Sequence, residues 1–363
     1  MICPHCERNL LRKERTGNTC SHCKRRYALD PKTNSLRLSD LRVLRITTGL
    51  TDNGRIRVTP GQLWYALSRK RIREGEFAPG CAGGALFGGV VFGFWALFGQ
   101  MPFMLYASAA LLATALGVLI ARRRGAGRGI APMTRGAFRS EALAEWVRVY
   151  GSLPPGVVDD NGHPWPRRPA DAPPPHAVLL CPDPSIAAFL AADGLPDRHG
   201  IALVQSPERV TALLPALPPR GPVLVLHDAD ARGELLLRQL RQDLPGRPVV
   251  DAGVSLRTVH GRPKAVAYRD PHHKPTAHEM RRLTALGEFT AQELTWLAQG
   301  WRFPLVAIPP VRLLTVLGRL AKRIGRGVDD ERRRAAEVGF MTWPGAGGSP
   351  GADTSGKKGT PSA

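Results

Sequence analysis

The sequence predicts a multi-domain membrane protein. It comprises a small N-terminal metal-binding module, a transmembrane hairpin of two helices, an α/β domain with a mostly parallel sheet and a C-terminal helical extension. Three observations support this prediction: two close cysteine pairs near the start, a long uncharged apolar stretch, and a later alternation of short apolar runs with helical segments. These patterns divide the 363 residues into the segments 1–30, 31–76, 77–121, 122–175, 176–270, 271–342 and 343–363.

The first segment contains two C-x2-C pairs separated by 13 residues, formed by Cys3, Cys6, Cys20 and Cys23. Each pair can form one tight knuckle, and two knuckles supply the four thiolates of a tetrahedral Zn²⁺ site. Two disulfides and a redox-active pair are the alternatives. A cytoplasmic location disfavours stable disulfides, and a redox motif needs only one pair. We therefore predict a structural zinc ion.

The cysteine pattern resembles the zinc-ribbon family over about residues 1–30. Glu7 and Lys24 occupy the positions at which the family has a glycine after each knuckle. The resemblance implies a site filled by protein ligands, without an open position for catalysis. Residues 31–76 follow as a basic helical segment, in which Pro60 marks the first position of a helix.

The stretch from Phe77 to Ala121 contains no charged residue. It predicts two spans, 81–99 and 103–121, each about 28 Å long as a helix, against a hydrocarbon core of roughly 30 Å. Pro102 lies between them and interrupts the helix. Small residues recur at every fourth position, which favours close packing of the two spans or formation of a homodimer.

Basic residues flank both ends of this stretch, and its connecting turn has none. The positive-inside rule then predicts a multi-pass protein of the cytoplasmic (inner) membrane, with both termini in the cytoplasm. The formal charge is +21, with Arg far more frequent than Lys, as is typical of GC-rich bacterial genomes. The basic excess lies on both sides of the apolar stretch, which suits an anionic leaflet of the lipid bilayer, whereas 176–270 is nearly neutral. That neutrality disfavours nucleic acid as the partner of the α/β domain.

Residues 122–175 are rich in Gly, Pro and Arg and predict a linker. From residue 176, four short apolar runs alternate with amphipathic helical segments, which predicts a parallel sheet covered on both faces. Asp228, Asp230 and Gly233 follow the third run. Carboxylates at a strand end are typical of Mg²⁺ chemistry on phosphates, so these residues form a candidate Mg²⁺ or phosphate site. The alternative is that both aspartates cap the next helix.

The D-x-D-x-x-G pattern resembles the second motif of the Toprim domain of topoisomerases and primases, over about residues 176–255. The glutamate that ends the first strand in that family is absent, and Asp183 is the nearest acid. The resemblance implies Mg²⁺-dependent chemistry on nucleotides or phosphates. Beyond the sheet, 271–342 predicts helices, including an amphipathic helix 311–324 that packs on the sheet or lies on a membrane, and 343–363 predicts a disordered tail.

The sequence contains no nucleophile–base pair, phosphate loop or dinucleotide-binding fingerprint. We therefore expect a membrane-anchored zinc-ribbon protein that acts as an interaction or scaffold module for a cytoplasmic protein partner. The first alternative is a Mg²⁺-dependent Toprim-like enzyme that uses Asp228 and Asp230. The second is a membrane-tethered protein that binds DNA through its basic N-terminal segment.

Overall fold

Four short apolar runs form a parallel sheet where the alternation predicts strands. The computed structural model describes residues 1–75, 79–98, 103–123, 128–161, 173–262 and 265–337. The strands are β1 (Ala177–Leu180), β2 (Ile201–Val204), β3 (Val223–Val225) and β4 (Val249–Asp251), in the order β2-β1-β3-β4. All neighbouring strands are parallel, with Leu179 paired to Leu203 on one side and Leu224 on the other. Both faces of the central strands are covered, which explains their continuous apolar sequences.

Helices and short secondary elements surround this sheet. In the described part of the chain, the α-helices are α1 (Asp40–Leu50), α2 (Pro60–Glu74), α3 (Pro79–Phe98), α4 (Phe103–Arg123), α5 (Arg135–Ala137), α6 (Ala144–Tyr150), α7 (Pro184–Ala192), α8 (Leu195–Arg198), α9 (Pro207–Leu213), α10 (Ala231–Asp243), α11 (Leu256–Val259), α12 (Ala277–Ala285), α13 (Ala291–Ala298) and α14 (Pro310–Glu337). A π-helical turn, Phe138–Leu143, joins α5 to α6. Two further strands, β5 (Tyr268–Arg269) and β6 (Trp301–Arg302), form an antiparallel pair.

One hydrophobic core joins regions that are distant in sequence. Its buried members include Trp64 from α2, Trp146 from α6, Leu179 from β1 and Leu317 from α14. Tyr65 adds a polar link, because its hydroxyl donates a hydrogen bond of 2.6 Å to the carbonyl of Val266. The N-terminal helices therefore pack on the same body as the sheet.

The segment predicted as a linker contributes to this core between residues 128 and 161. Phe138, Leu143 and Trp146 are buried there, and the indole of Trp64 donates a hydrogen bond of 2.9 Å to the carbonyl of Met133. Residues 162–172 of the predicted linker lie outside the described residues, as do residues 338–363, which include the predicted tail 343–363. Helix α14 packs on the body through Leu313 and Leu317.

Helices α3 and α4 form an antiparallel hairpin held by small residues. The hydroxyl of Ser108 donates a hydrogen bond of 2.8 Å to the carbonyl of Gly89. A β-carbon added at Gly89 would lie 3.0 Å from Leu112. The recurring glycines therefore bring these two helices of one chain together. At the base of the hairpin, the N–H of Gly129 donates a hydrogen bond of 3.0 Å to the carbonyl of Ile72.

The predicted transmembrane spans, 81–99 and 103–121, are wrong. No helix in the described part of the chain is both long enough and apolar enough to cross a membrane. The fold class of a membrane protein is wrong for the same reason, as is the multi-pass location in the inner membrane. The fold instead contains a four-stranded parallel sheet with helices.

Candidate functional sites

Two similar turns bring the four predicted zinc ligands together. In the first, the N–H of Cys3 donates to the carbonyl of Arg8 (2.9 Å), and the N–H of Glu7 donates to the carbonyl of Cys3 (3.1 Å). The second turn, 20–25, repeats both hydrogen bonds at 3.1 and 2.9 Å. Each turn therefore presents its two thiols on one side, as a zinc knuckle requires.

The two residues that follow the knuckles adopt the left-handed backbone conformation that glycine favours. Glu7 has a φ of 58° and Lys24 a φ of 57°. A residue with a β-carbon occupies this region at some energetic cost. Both knuckles therefore end in the same left-handed backbone conformation, although neither has a glycine at that position.

The spacing of the four sulfur atoms fits a tetrahedral metal ion. All four Sγ atoms lie within 4.8 Å of one another, and the Cys3–Cys23 and Cys6–Cys20 pairs are each 3.8 Å apart. Ligands about 2.3 Å from a tetrahedral zinc ion are roughly 3.8 Å from each other. A hydrogen bond from the backbone N–H of Cys23 is the main cause that lowers the pKa of Cys20 to about 7. The cluster is thus able to hold a metal ion such as zinc.

A cavity of about 840 Å³ opens beyond the carboxyl ends of β1 and β3. Its volume lies within the usual range of ligand pockets, roughly 300–1,000 Å³, and its position is typical of ligand sites in open α/β sheets. Trp64, Tyr268 and Leu305 contribute apolar walls. The charged lining residues are Asp183, Asp228, Asp230, Asp270, Arg135, Arg232, Arg269 and Arg302. The formal charges of these eight residues cancel.

Asp228, the first residue of the D-x-D pair, is buried at the floor of this cavity. One carboxylate oxygen accepts a hydrogen bond of 2.7 Å from the N–H of Leu305, and the other accepts one from the guanidinium of Arg302. Burial raises the pKa of Asp228 to about 6, which outweighs the opposite effect of Arg302.

Arg302 lies among three carboxylates. In addition to its contact with Asp228, its Nε is 3.6 Å from Asp230 Oδ2 and its Nη1 is 3.8 Å from Asp270 Oδ2. The guanidinium also lies over the ring of Tyr268, 5.8 Å from its centroid. Burial alone lowers the pKa of Arg302, but the attraction of Asp228 and its neighbours raises it above the usual value. A permanent cation therefore occupies the centre of the acidic cluster.

Asp230 and Gly233 shape the start of α10. The Asp230 carboxylate accepts a hydrogen bond of 2.8 Å from the N–H of Gly233, which is the helix-capping arrangement expected as the alternative to metal binding. A β-carbon at Gly233 would lie 2.3 Å from the carbonyl oxygen of Asp228 and 2.7 Å from Nδ1 of His227. Close packing of the helix against the strand end thus requires glycine at this place in the motif.

Asp183, the acid nearest to the missing Toprim glutamate, also reaches the cavity. It caps α7 by accepting hydrogen bonds from the N–H groups of Ser185 (2.8 Å) and Ile186 (3.2 Å). Arg135 pairs with Asp183 at 3.1 Å and with Asp160 at 3.4 Å. Asp183 is therefore held by a second, partly exposed guanidinium rather than directed at Asp228.

His227 lies directly before the D-x-D pair and is buried beneath the cavity. Its Nδ1 donates a hydrogen bond of 2.8 Å to the carbonyl of Asp228, and its Nε2 is 3.3 Å from Asp251 Oδ1. Burial lowers the pKa of His227, but Asp251 and the Asp228 carbonyl outweigh this effect and raise it. The ring therefore joins the ends of β3 and β4.

Sequence reasoning missed the two arginines that organise the site. Arg302 is 74 positions from Asp228, and Arg135 lies in the segment predicted as a linker. Neither arginine belongs to a sequence motif, so nothing in its position along the chain indicated that it would pair with the aspartates. Among the described residues, only the four cysteines form a group of three or more potential ligands close enough to hold a metal ion.

Comparison with known proteins gives no relative: no protein-family model, curated protein or solved structure matches the chain.

Proposed function

We propose that this chain is a zinc-stabilised interaction module. Its cavity beyond the carboxyl ends of β1 and β3 binds part of a protein partner and catalyses no reaction on it. The observation that carries the proposal is the position of Arg302 among Asp228, Asp230 and Asp270. These carboxylates are the ligands that a Mg²⁺-dependent reaction needs. Because the guanidinium of Arg302 already pairs with these carboxylates, Mg²⁺ has to displace the buried Arg302–Asp228 ion pair before it binds.

Zinc at the four cysteines has a structural role in this proposal. Four protein thiolates complete a tetrahedral shell and leave no position for water or substrate. The metal ion would hold the two knuckles together, and the neighbouring segment joins them to the body. The buried carboxylate of Asp40 supports this link, because it accepts hydrogen bonds from the N–H groups of Ala28 (2.9 Å) and Leu29 (2.8 Å) and from the hydroxyl of Tyr150.

The second candidate function is a Mg²⁺-dependent enzyme that acts on nucleotides or phosphates through Asp228 and Asp230. One observation favours it: both acids follow β3 and line a cavity large enough for a nucleotide. The helix N-termini of α7 and α10 also point towards that edge, and such ends attract phosphate groups. Asp183 and Asp230 already cap these two ends.

Calorimetric titration of the full-length zinc-loaded protein with MgCl₂ distinguishes the two functions. The interaction module predicts no saturable binding of Mg²⁺ at millimolar concentrations, by the wild type or by an Asp228→Asn variant. Saturable binding by the wild type that disappears in Asp228→Asn would overturn the proposal and favour the enzyme. Arg302→Met serves as the positive comparison, because removal of the guanidinium leaves the carboxylates available to a metal ion.

A further inference from the structure

The outer face of α14 carries a row of basic side chains. Over 310–326, where its side chains are described, the helix has five exposed basic residues and no acidic one: Arg312, Arg319, Lys322, Arg323 and Arg326. None of the acidic residues whose side chains are described forms an ion pair with any of the five. Among the side chains that the structure describes, these five cations thus form a row without acidic partners.

Helical geometry places four of these residues in line. At 3.6 residues per turn, Arg312, Arg319, Arg323 and Arg326 fall within an arc of about 60°, over roughly 21 Å of the helix axis. The opposite face of α14 is fixed to the core through Leu313, Leu317 and Ala321. The arginines are thus presented on a helix whose orientation is set by packing.

The positive surface continues onto the loop before β2. His199 lies against α14: a β-carbon added at Gly318 of this helix would be 3.5 Å from its Nε2. Burial is the largest cause of a lowered pKa at His199, and the charges of Arg198 and Lys322 lower it further. Arg198 therefore adds one more cation next to the row on α14.

Cations spaced three or four residues apart on a helix repel one another, as Arg319 and Arg323 do here. A polyanion that lies along the row removes this repulsion and releases its own counterions. Phosphates of one duplex strand follow each other every 3.4 Å or so along the axis, so the row spans about six of them. Guanidinium groups also match the geometry of phosphate oxygens.

We propose that the outer face of α14 binds the phosphodiester backbone of nucleic acid, without recognition of base sequence. A lipid surface fits the same charges less well, because an interfacial helix inserts its apolar face, and Leu313, Leu317 and Ala321 already occupy the core. The proposal goes beyond the function of the cavity and does not depend on it.

Fluorescence anisotropy of a labelled 20-base-pair duplex of mixed sequence, titrated with the full-length protein at several salt concentrations, tests the proposal. The double variant Arg319→Ala/Arg323→Ala should lower the slope of log affinity against log salt by about 2, because each phosphate contact contributes about 0.9. Its affinity at 100 mM salt should fall at least tenfold. Arg319→Lys/Arg323→Lys keeps both charges and should keep the slope.

The matched control, Arg209→Ala/Arg241→Ala, removes the same charge from exposed positions on α9 and α10. It should leave the slope unchanged. Equal losses in both double alanine variants would show that only net charge matters and would overturn the proposal. Absence of duplex binding by the wild type would also overturn it. A third outcome would overturn it as well: the wild type binds vesicles that contain phosphatidylserine, and Arg319→Ala/Arg323→Ala abolishes this vesicle binding but leaves duplex binding unchanged.

Discussion

At the scale of single residues, Asp228 is held ionised only by its neighbours. Its carboxylate is buried, and its hydrogen bonds come from Leu305 and Arg302. Burial opposes the charge more strongly than these donors favour it, so the pKa of Asp228 is raised to about 6. The folded protein consequently binds a proton at Asp228 more tightly than the unfolded chain does.

This pKa shift predicts a pH dependence of stability. The proton-linked contribution of Asp228 is complete below the unfolded pKa of 3.8 and is lost as the pH rises through about 6. Asp228→Asn removes the titration. The free energy of unfolding of the wild type, minus that of Asp228→Asn, should therefore fall by up to about 3 kcal/mol between pH 4 and pH 7.

Urea unfolding at half-unit pH intervals measures this difference. Subtraction of the same curve for Asp243→Asn, at an exposed position on α10, corrects for the loss of one charge. A difference that stays constant between pH 4 and pH 7, or that rises, contradicts the predicted direction.

At the scale of elements, the first turn of α10 packs closely against the residues that follow β3. A β-carbon at Gly233 would lie 2.3 Å from the carbonyl oxygen of Asp228 and 2.7 Å from Nδ1 of His227, so a methyl group has no space there. By contrast, a β-carbon at Gly246, shortly after α10, would have no heavy atom within 4 Å.

Gly233→Ala should therefore destabilise the protein by about 1–3 kcal/mol, because the backbone of α10 has to move away from β3. Gly246→Ala is the matched control and should change the free energy of unfolding by less than 1 kcal/mol. Chemical denaturation of both variants at pH 7 tests this. Equal stabilities would mean that α10 adapts to the added methyl group without cost.

Part of the fold and site could be predicted at this scale, because the signal is local. The apolar runs around Leu179 and Leu224 indicated a parallel sheet, which is present, and the cysteine spacing indicated a cluster able to hold a metal ion. The positions of Arg302 and Arg135 could not be predicted, since they depend on how distant segments pack. The apolar composition of 77–121 predicted membrane spans, and this prediction was wrong.

At the scale of the whole molecule, the first 75 residues and the α/β layer share one core. Leu63, Trp64 and Leu67 are almost fully buried, and they pack in the same cluster as Leu179 of the sheet. Removal of α2 therefore exposes one side of the α/β layer and a large apolar area.

A fragment that begins at residue 128 should consequently fail to fold cooperatively. We expect it to lack the near-ultraviolet circular dichroism of the full-length protein and to bind a hydrophobic dye. The full-length protein is the control, and it should unfold in one transition by both tryptophan fluorescence and far-ultraviolet circular dichroism. A cooperative transition in the fragment would show that the α/β layer folds without α2.

The hydrogen bond between Gly129 and Ile72 places the two ends of the α3–α4 hairpin next to each other. In topological terms the hairpin is an insertion, since the polypeptide leaves the body near Gly75 and re-enters it close to the point of departure. Joining these points with a few flexible residues requires little loop-closure entropy. The body can therefore tolerate excision of the hairpin, or its exchange for another sequence, with its own packing preserved.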